Sequence, residues 1–426
     1  MEIIKYKNGM DVDALLNRGT TDRRDVEQTV ADIIENVRTN GDAALREYAL
    51  KFDGCVIDNL VVTDGEIENA YNNTDKDFIA VLEQAAENIR QFHSMQKRDG
   101  FTLKKENGIV LGQKITPIEK VGLYVPGGTA SYPSSVLMNA IPAVIAGVNE
   151  IVMVTPPDKN GNIRSDILAA AKVAGVNKII KSGGAQSIAA LAYGTESVPK
   201  VDKIVGPGNI FVATAKRQVF GKVNIDMIAG PSEILVVAEP TANPKFVAAD
   251  LLSQAEHDKL AAAILITTDE SFAKAVSAEV DRQVKLLPRY EIALYSVENY
   301  GKAFIVNDMD EAIALANEVA PEHLELAVEN PFELLEKVKN AGSVFLGKNV
   351  PEALGDYFAG PNHTLPTGKT ARFSSALSVD DYIKKTQFIY YPEEELEKAK
   401  NKIALFAERE GLSGHARSVT TRFEEE

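Results

Sequence analysis

Four of the five histidines in this 426-residue chain fall in four short polar stretches. These are Leu251–Asp258 (LLSQAEHD), Pro321–Leu324 (PEHL), Gly355–Thr367 (GDYFAGPNHTLPT) and Gly411–Arg417 (GLSGHAR). The third sets an acid (Asp356), a phenol (Tyr357), an amide (Asn362) and an imidazole (His363) in one segment. Its Gly and Pro content predicts a loop, which reads either as a surface turn or as the wall of an active site. Gln254 and His257 stand three apart, late in a predicted helix, and so share one face. A divalent zinc ion accepts imidazole nitrogen and carboxylate oxygen, and less often an amide oxygen. Asp356 and His415 are candidates for the remaining positions of such a site. With no thiolate it would grip weakly and keep room for a substrate, which suits catalysis better than structure. Taken alone, the Gln–His pair also reads as an ordinary helix surface.

Glu322 and His323 are adjacent. Together they could act as two general bases, one on an alcohol and one on a water. Alternatively they form a capped turn before an apolar strand. Two glycine turns, Gly183-Gly184-Ala185-Gln186 and Gly206-Pro207-Gly208-Asn209, each open a predicted helix, where backbone N–H groups can bind phosphate. Neither is a GxGxxG turn followed about 20 residues later by an acid. A dinucleotide is permitted here, but its usual fingerprint is missing.

The elements that must carry these residues follow from periodicity. Residues 1–20 read as a short arm. Val26, Val30, Ile33 and Val37 recur at helical spacing until Asn40-Gly41, a second helix runs from Asp42 to Phe52, and a third from about Thr74 to Gln96 with His93 beside its apolar face. Asn107-Gly108 marks a hairpin. From Val121 short apolar strands (121–125, 151–155, 178–181, 203–205) alternate with helices, and turns such as Pro126-Gly127-Gly128 follow the strands. A second series has strands at 234–237, 262–267, 303–306, about 324–328 and 343–346. Each series is a βαβ run and predicts a parallel, doubly wound sheet. Beyond the Gly355 stretch, Pro392–Glu410 reads as an acidic helix.

Composition bounds the rest. Two or three domains are expected from the length. A net charge of −15 leaves no basic face for nucleic acid. One cysteine, Cys55, excludes an internal disulfide and a cysteine-rich zinc site, and it reads as a structural thiol. The N-terminus has no secretory or transit pattern and no window is apolar enough to span a membrane, so cytoplasm is the expected compartment.

Eight motifs, in order, resemble the histidinol dehydrogenase family: GLYVPGGTASYPSSVLMNAIPA, GGAQSIAALAYGT, VGPGNIFVATAK, IDMIAGPSEILVVA, LLSQAEHD, PEHLEL, GDYFAGPNHTLPT and EGLSGHARSV. They span about Arg23 to Val419. The resemblance implies an α/β fold of two doubly wound, incomplete Rossmann-like parallel-sheet domains, with a small N-terminal arm and a C-terminal helical tail. It maps residues 21–122 and 235–376 to a larger zinc-bearing domain, 123–234 to an inserted NAD-binding domain, and 377–426 to a tail that reaches a partner subunit. It implies a homodimer with intertwined subunits and one zinc per subunit. The implied zinc ligands are Gln254, His257, Asp356 and His415, and Glu322 and His323 are the acid–base pair. Ser232 and Glu410 would join Gln254, His257, His323, Asp356 and His415 in holding L-histidinol. Tyr124, Gln186 and Asn209 would contact NAD. The implied reaction carries L-histidinol through L-histidinaldehyde to L-histidine with two NAD⁺, the last two steps of histidine biosynthesis. Three rivals remain: a zinc hydrolase that uses no NAD, a dehydrogenase of another primary alcohol, and a non-catalytic nucleotide-binding protein.

Overall fold

The computed structural model describes residues 1–16, 23–127 and 131–424. Gly128 of the expected Pro126-Gly127-Gly128 turn lies outside them. In chain order the strands are β1 (Glu2–Lys5), β2 (Phe101–Lys104), β3 (Val110–Pro117), β4 (Lys120–Tyr124), β5 (Glu150–Thr155), β6 (Lys178–Lys181) and β7 (Lys203–Val205). They continue with β8 (Asn224–Ile225), β9 (Glu233–Ala238), β10 (Ala262–Thr267), β11 (Lys302–Ile305), β12 (His323–Ala327), β13 (Ser343–Leu346) and β14 (Ile383–Tyr390). Met1–Lys97 with Ile118–Tyr382 form one compact unit, and Arg98–Pro117 with Ile383–Glu426 form a second.

The first unit holds two parallel sheets, of order β6-β5-β4-β7-β8 and β1-β11-β10-β9-β12-β13. Each is covered on both faces, which is why its strands are continuous apolar runs rather than alternating ones. On the five-stranded sheet Val121, Leu123, Ile151 and Met153 point into one core, and Tyr124, Val152, Val154 and Ile180 into the other. On the six-stranded sheet Ile234 and Val236 face one core and Leu235 and Val237 the opposite one. The strict alternation is the period-2 geometry of a strand. Both expected βα series are present, and the doubly wound class holds.

Three features differ from the sequence expectation. The N-terminal arm is partly a strand, since β1 pairs in parallel with β11 at the sheet edge. Segment 21–122 was expected to belong with 235–376. Instead Val30, Ile33, Leu45, Ala86 and Ile89 from its helices share cores with the five-stranded sheet. Their apolar stripes could be read from periodicity, but which sheet they would cover could not. The C-terminal segment is more than helical. In the second unit β14 pairs antiparallel with β3, which also pairs with β2 across the Asn107-Gly108 turn. The helices Glu393–Arg409 and Ser413–Thr420 complete that unit. No helix among the described residues is long and apolar enough to cross a membrane.

The end of β7 is held by a buried charge pair. Lys216 on the helix Ile210–Val219 reaches both the Asp226 carboxylate and the Gly206 carbonyl, the latter at 2.9 Å. The Gly206 N–H donates to Asp226 Oδ2 at 2.8 Å. Gly206 has φ +110, and a Cβ there would sit 2.1 Å from the Tyr124 carbonyl oxygen. Glycine is therefore required for β7 to end this close to β4. Removing one member of such a pair strands the other charge in the interior. Lys216→Met should lower unfolding free energy by about 3–5 kcal/mol in urea denaturation. Lys216→Met combined with Asp226→Leu should lose far less. Equal losses in the single and double variants would show that the ion pair is not what holds the turn.

Candidate active site

Strand β4 has β5 on one side and β7 on the other, so the strand order reverses there. The crevice at the carboxyl ends of β4 and β7 is the usual ligand position of a doubly wound sheet. Tyr124 ends β4, Gln186 lies in the first turn of the helix Gly184–Tyr193, and Asn209 caps the helix Ile210–Val219. The Tyr124 hydroxyl accepts weakly from the Gly184 N–H at 3.4 Å. Burial pushes the Tyr124 phenol up to about 12, so it stays protonated. Asn209 Oδ1 accepts from the N–H groups of Phe211 and Val212. That cap leaves its amide NH₂ as the group a ligand can use.

The six-stranded sheet contributes from its opposite, amino-terminal edge. Ser232 precedes β9 and Glu322 precedes β12. The helix Pro244–Ala255, returning from β9, delivers Gln254 in its last turn and His257 just beyond. A cavity of about 350 Å³ is lined by Tyr124, Asn209, Ser232, Gln254, His257, Glu322, His323 and Asp356. Gln186 lines an adjoining cavity of about 450 Å³ together with Tyr124 and Asn209. Of the residues singled out from sequence, Glu410 and His415 belong to the second unit, where both are exposed.

Glu322 and His323 are fixed by Glu233. The Glu233 N–H donates to Glu322 Oε2 at 2.9 Å, and its carbonyl faces His323 Nδ1 at 3.0 Å. A carbonyl only accepts, so Nδ1 carries the hydrogen and Nε2 of the neutral ring is bare. That Nε2 is buried and has no hydrogen-bond partner. It lies 3.6 Å from Asp356 Oδ1 and 3.9 Å from Glu352 Oε1, beyond good hydrogen-bond range. Burial pulls the His323 ring down, but the surrounding carboxylates of Glu322, Asp356 and Glu352 more than offset it, to about 10. Burial pushes Glu322 up to about 7.

Asp356 departs from expectation in its setting. Glu352–Tyr357 is a short helix, so the predicted loop begins only after it. Gly355 is what allows it, since a Cβ there would lie 2.6 Å from Phe345 Cε1. The segment beyond is tied down. Asn362 Nδ2 donates to the Met138 carbonyl at 2.6 Å, and Gly230 N–H donates to Thr367 Oγ1 at 2.6 Å. His363 Nδ1 donates to the Asp356 carbonyl at 3.0 Å, so Ser135 donates to its Nε2 at 3.2 Å.

Sequence reasoning passed over Glu352 and Ser135, and gave His363 no role. Glu352 is buried and accepts from Ser253 Oγ at 2.8 Å, and its N–H donates to Glu325 Oε1 at 2.8 Å. Burial and the neighbouring Asp356 charge push Glu352 up to about 8. Burial also acts to raise Asp356, but the His323 ring and the nearby His363 outweigh it and hold Asp356 well below the usual carboxylate range. Of the two, Glu352 therefore holds a proton more readily than Asp356. A Glu four residues before Asp356 on one helical face was the only signal that could have pointed to it.

The residues present fit a metal cation. Gln254 is 1% exposed, yet its Oε1 has no hydrogen-bond partner. An acceptor buried without a donor is costly, and a cation would satisfy it. One donor atom each from His323, Glu352 and Asp356 lies within 4.8 Å of the others. The donors are nitrogen and oxygen, suited to zinc. Cys55 is buried in a core and burial pushes its thiol up, so it is neither a ligand nor a ready nucleophile.

Residues 16–423 match the family model described as histidinol dehydrogenase. The curated histidinol dehydrogenase of Clostridium acetobutylicum is 55% identical over 96% of this chain and 95% of its own length. That of Geobacillus kaustophilus is 53% identical over 100% of this chain and 99% of its own. The crystal structure of histidinol dehydrogenase from Elizabethkingia anophelis superposes with a TM-score of 0.94 at 39% identity, covering 99% of this chain and 98% of that one. The chain belongs to the histidinol dehydrogenase family and is an oxidoreductase.

Proposed function

We propose that this protein carries out the zinc-dependent, NAD-linked four-electron oxidation of L-histidinol through L-histidinaldehyde to L-histidine. The observation that carries the reading is a single cavity in which Gln254, His257 and Asp356 face the Glu322–His323 pair beside Tyr124 and Asn209. Gln254, His257 and Asp356 are the zinc ligands from this unit, and His415 is the fourth. Held by these residues, zinc would supply a Lewis acid for the imidazole and amine of the substrate. NAD⁺ serves as hydride acceptor for each of the two oxidations.

In the alcohol step, His323 takes the hydroxyl proton at Nε2 as hydride leaves the carbinol carbon. Nearby carboxylates hold that nitrogen protonated in the metal-free protein, and a cation among them acts in the opposite sense. In the aldehyde step, Glu322 takes a proton from water as the water oxygen bonds to the aldehyde carbon. The resulting diol monoanion loses hydride to the second NAD⁺ and then a second proton, giving the carboxylate. Water rather than a thiol is the nucleophile, consistent with the buried Cys55. Ser232 and Glu410 join the ligand residues in holding the substrate.

Glu410 and His415 come, on this reading, from the tail of a second copy in an intertwined homodimer. The second unit supports an association surface, since Ile389, Tyr390, Leu405 and Phe406 are all exposed. The rivals are weaker. A hydrolase has no use for the adjoining cavity lined by Tyr124, Gln186 and Asn209, and a scaffold has none for the unpartnered Gln254 and His323 atoms.

Purified protein should form two NADH per L-histidinol, lose this on chelation and regain it with zinc. No NADH from zinc-loaded protein would redirect the search to other primary alcohols and then to hydrolysis. Glu322→Gln should slow aldehyde oxidation about a hundredfold or more while sparing alcohol oxidation, as stopped-flow NADH traces would resolve. Equal loss in both half-reactions would remove the assigned role. His415→Asn should lower bound zinc measured by metal analysis, and verified heterodimers of His415→Asn with Glu322→Gln should recover activity. No recovery would place His415 and Glu322 of one chain in the same site.

A further inference from the structure

The dinucleotide fingerprint lacks an acid in its usual place, after the glycine turn. The adjoining 450 Å³ cavity contains one from elsewhere. It is lined by Asp53, Phe52, Tyr124, Pro156, Gln186 and Asn209, among others. Asp53 closes a π-helical turn, Ala49–Asp53, that ends the helix beginning after the kink at Gly41, and Gly54 follows in the left-handed region at φ +69. Such turns carry one extra residue per turn, cost stability, and are frequent at functional sites. Here the turn swings a carboxylate toward the end of β4.

Asp53 Oδ2 is buried and has no hydrogen-bond partner. Neither does Gln186 Oε1, which is also buried and lines the same cavity. The cavity thus offers two unmatched acceptors, and among its described lining residues there is no Lys or Arg. A ligand there must bring hydrogen-bond donors to these two acceptors, and no described side-chain cation lines the cavity to pair with a phosphate placed against them. Tyr124, Gly127 and Asn209 line this cavity and also the one containing His323, so one extended ligand can occupy both. Its reactive end belongs beside His323, which leaves the Asp53 cavity for the far end. The far end of NAD⁺ is an adenosine, with two adjacent ribose hydroxyls as donors.

We infer that Asp53 accepts hydrogen bonds from the 2′- and 3′-hydroxyls of the adenosine ribose and thereby selects NAD⁺ over NADP⁺. This rests on the NAD-linked reading above and adds to it the residue that sets cofactor choice. The ribose diol satisfies a buried carboxylate oxygen, Asp53 Oδ2, that folding leaves without a hydrogen-bond partner. A 2′-phosphate instead brings a charge of about −2 against that carboxylate, with no described cation lining the cavity to offset it. The acid that a standard fold places after its glycine turn is here supplied from a helix before the sheet.

The test is isothermal titration calorimetry with NAD⁺ and NADP⁺ on wild type, Asp53→Asn and Asp53→Ala, with zinc loaded and with zinc removed. Steady-state kinetics with L-histidinol accompany it. Wild type should bind NAD⁺ in strong preference to NADP⁺. Asp53→Asn should weaken NAD⁺ binding by about tenfold to a hundredfold, the loss expected for charge-assisted hydrogen bonds, and should narrow the preference. KM for NAD⁺ should rise in step, with kcat at saturation little changed, as for binding made equally in ground and transition states. The melting temperature should not fall, because the buried Oδ2 has no hydrogen-bond partner to lose. Unchanged NAD⁺ affinity and unchanged preference in both variants would overturn the assignment. So would an affinity loss matched by a fall in melting temperature, which would mark Asp53 as structural. If wild type binds neither dinucleotide, the NAD reading itself fails. If wild type binds NAD⁺ and the variants match it, only the role of Asp53 fails.

Discussion

The parallel pairing of β9 with β12 is the constraint on which the site depends. Its register sets His323 beside Ile234, and so Glu322 and His323 beside the start of β9. Glu233 then serves both residues with one peptide unit, donating to Glu322 and accepting from His323. A slip of one residue would turn both side chains to the opposite faces of the sheet. The same pairing fixes which imidazole nitrogen is bare, and hence which atom can take a proton. Backbone geometry thus sets the tautomer of this histidine, and the neighbouring carboxylates set how tightly the ring holds a second proton.

The site also joins opposite edges of two sheets. The five-stranded sheet contributes from the carboxyl ends of its strands, as doubly wound sheets usually do. The six-stranded sheet contributes from its amino-terminal edge, with Ser232 and Glu322 both just before strands and Gln254 and His257 at the end of a returning helix. The segment Pro361–Thr367 spans the two, bonded to Met138 on one side and Gly230 on the other. The crevice at the first edge and the polar pocket at the second therefore meet in one cavity.

Around His323 the fold concentrates acidity at a cost. Asp356 is close enough to shift both Glu322 and Glu352, and the imidazoles of His257, His323 and His363 stand near it. Such a cluster is unfavourable as isolated charge. It becomes less costly when one member takes up a proton, as the upward shift of Glu352 favours, or when a cation enters. The Gln254 oxygen and the His323 Nε2, both buried without a hydrogen-bond partner, express the same condition: the protein folds with polar atoms left unmatched.

Much of this was contained in the chain read alone. Apolar runs bounded by Gly and Pro located nearly every strand of both parallel sheets, because a buried parallel strand needs an uninterrupted apolar stretch. The polar stretches around Gln254, Glu322 and Asp356 stood out because so few histidines and loop acids are available to build a site. What local pattern could not carry was the partner of each element. An apolar stripe on Arg23–Tyr48 says that it must be covered, not by which sheet, and the edge strand β1 carries no mark of the strand it joins. Glu352, Ser135 and Asp53 are unremarkable in sequence, since acids and serines are mostly solvated. Their meaning arises from burial, and burial is decided by contacts between residues tens to hundreds of positions apart. Residue types thus determined which chemistry the chain could perform. Only the tertiary structure decided which groups are desolvated together, and desolvation is what turns an ordinary carboxylate into a binding or catalytic one.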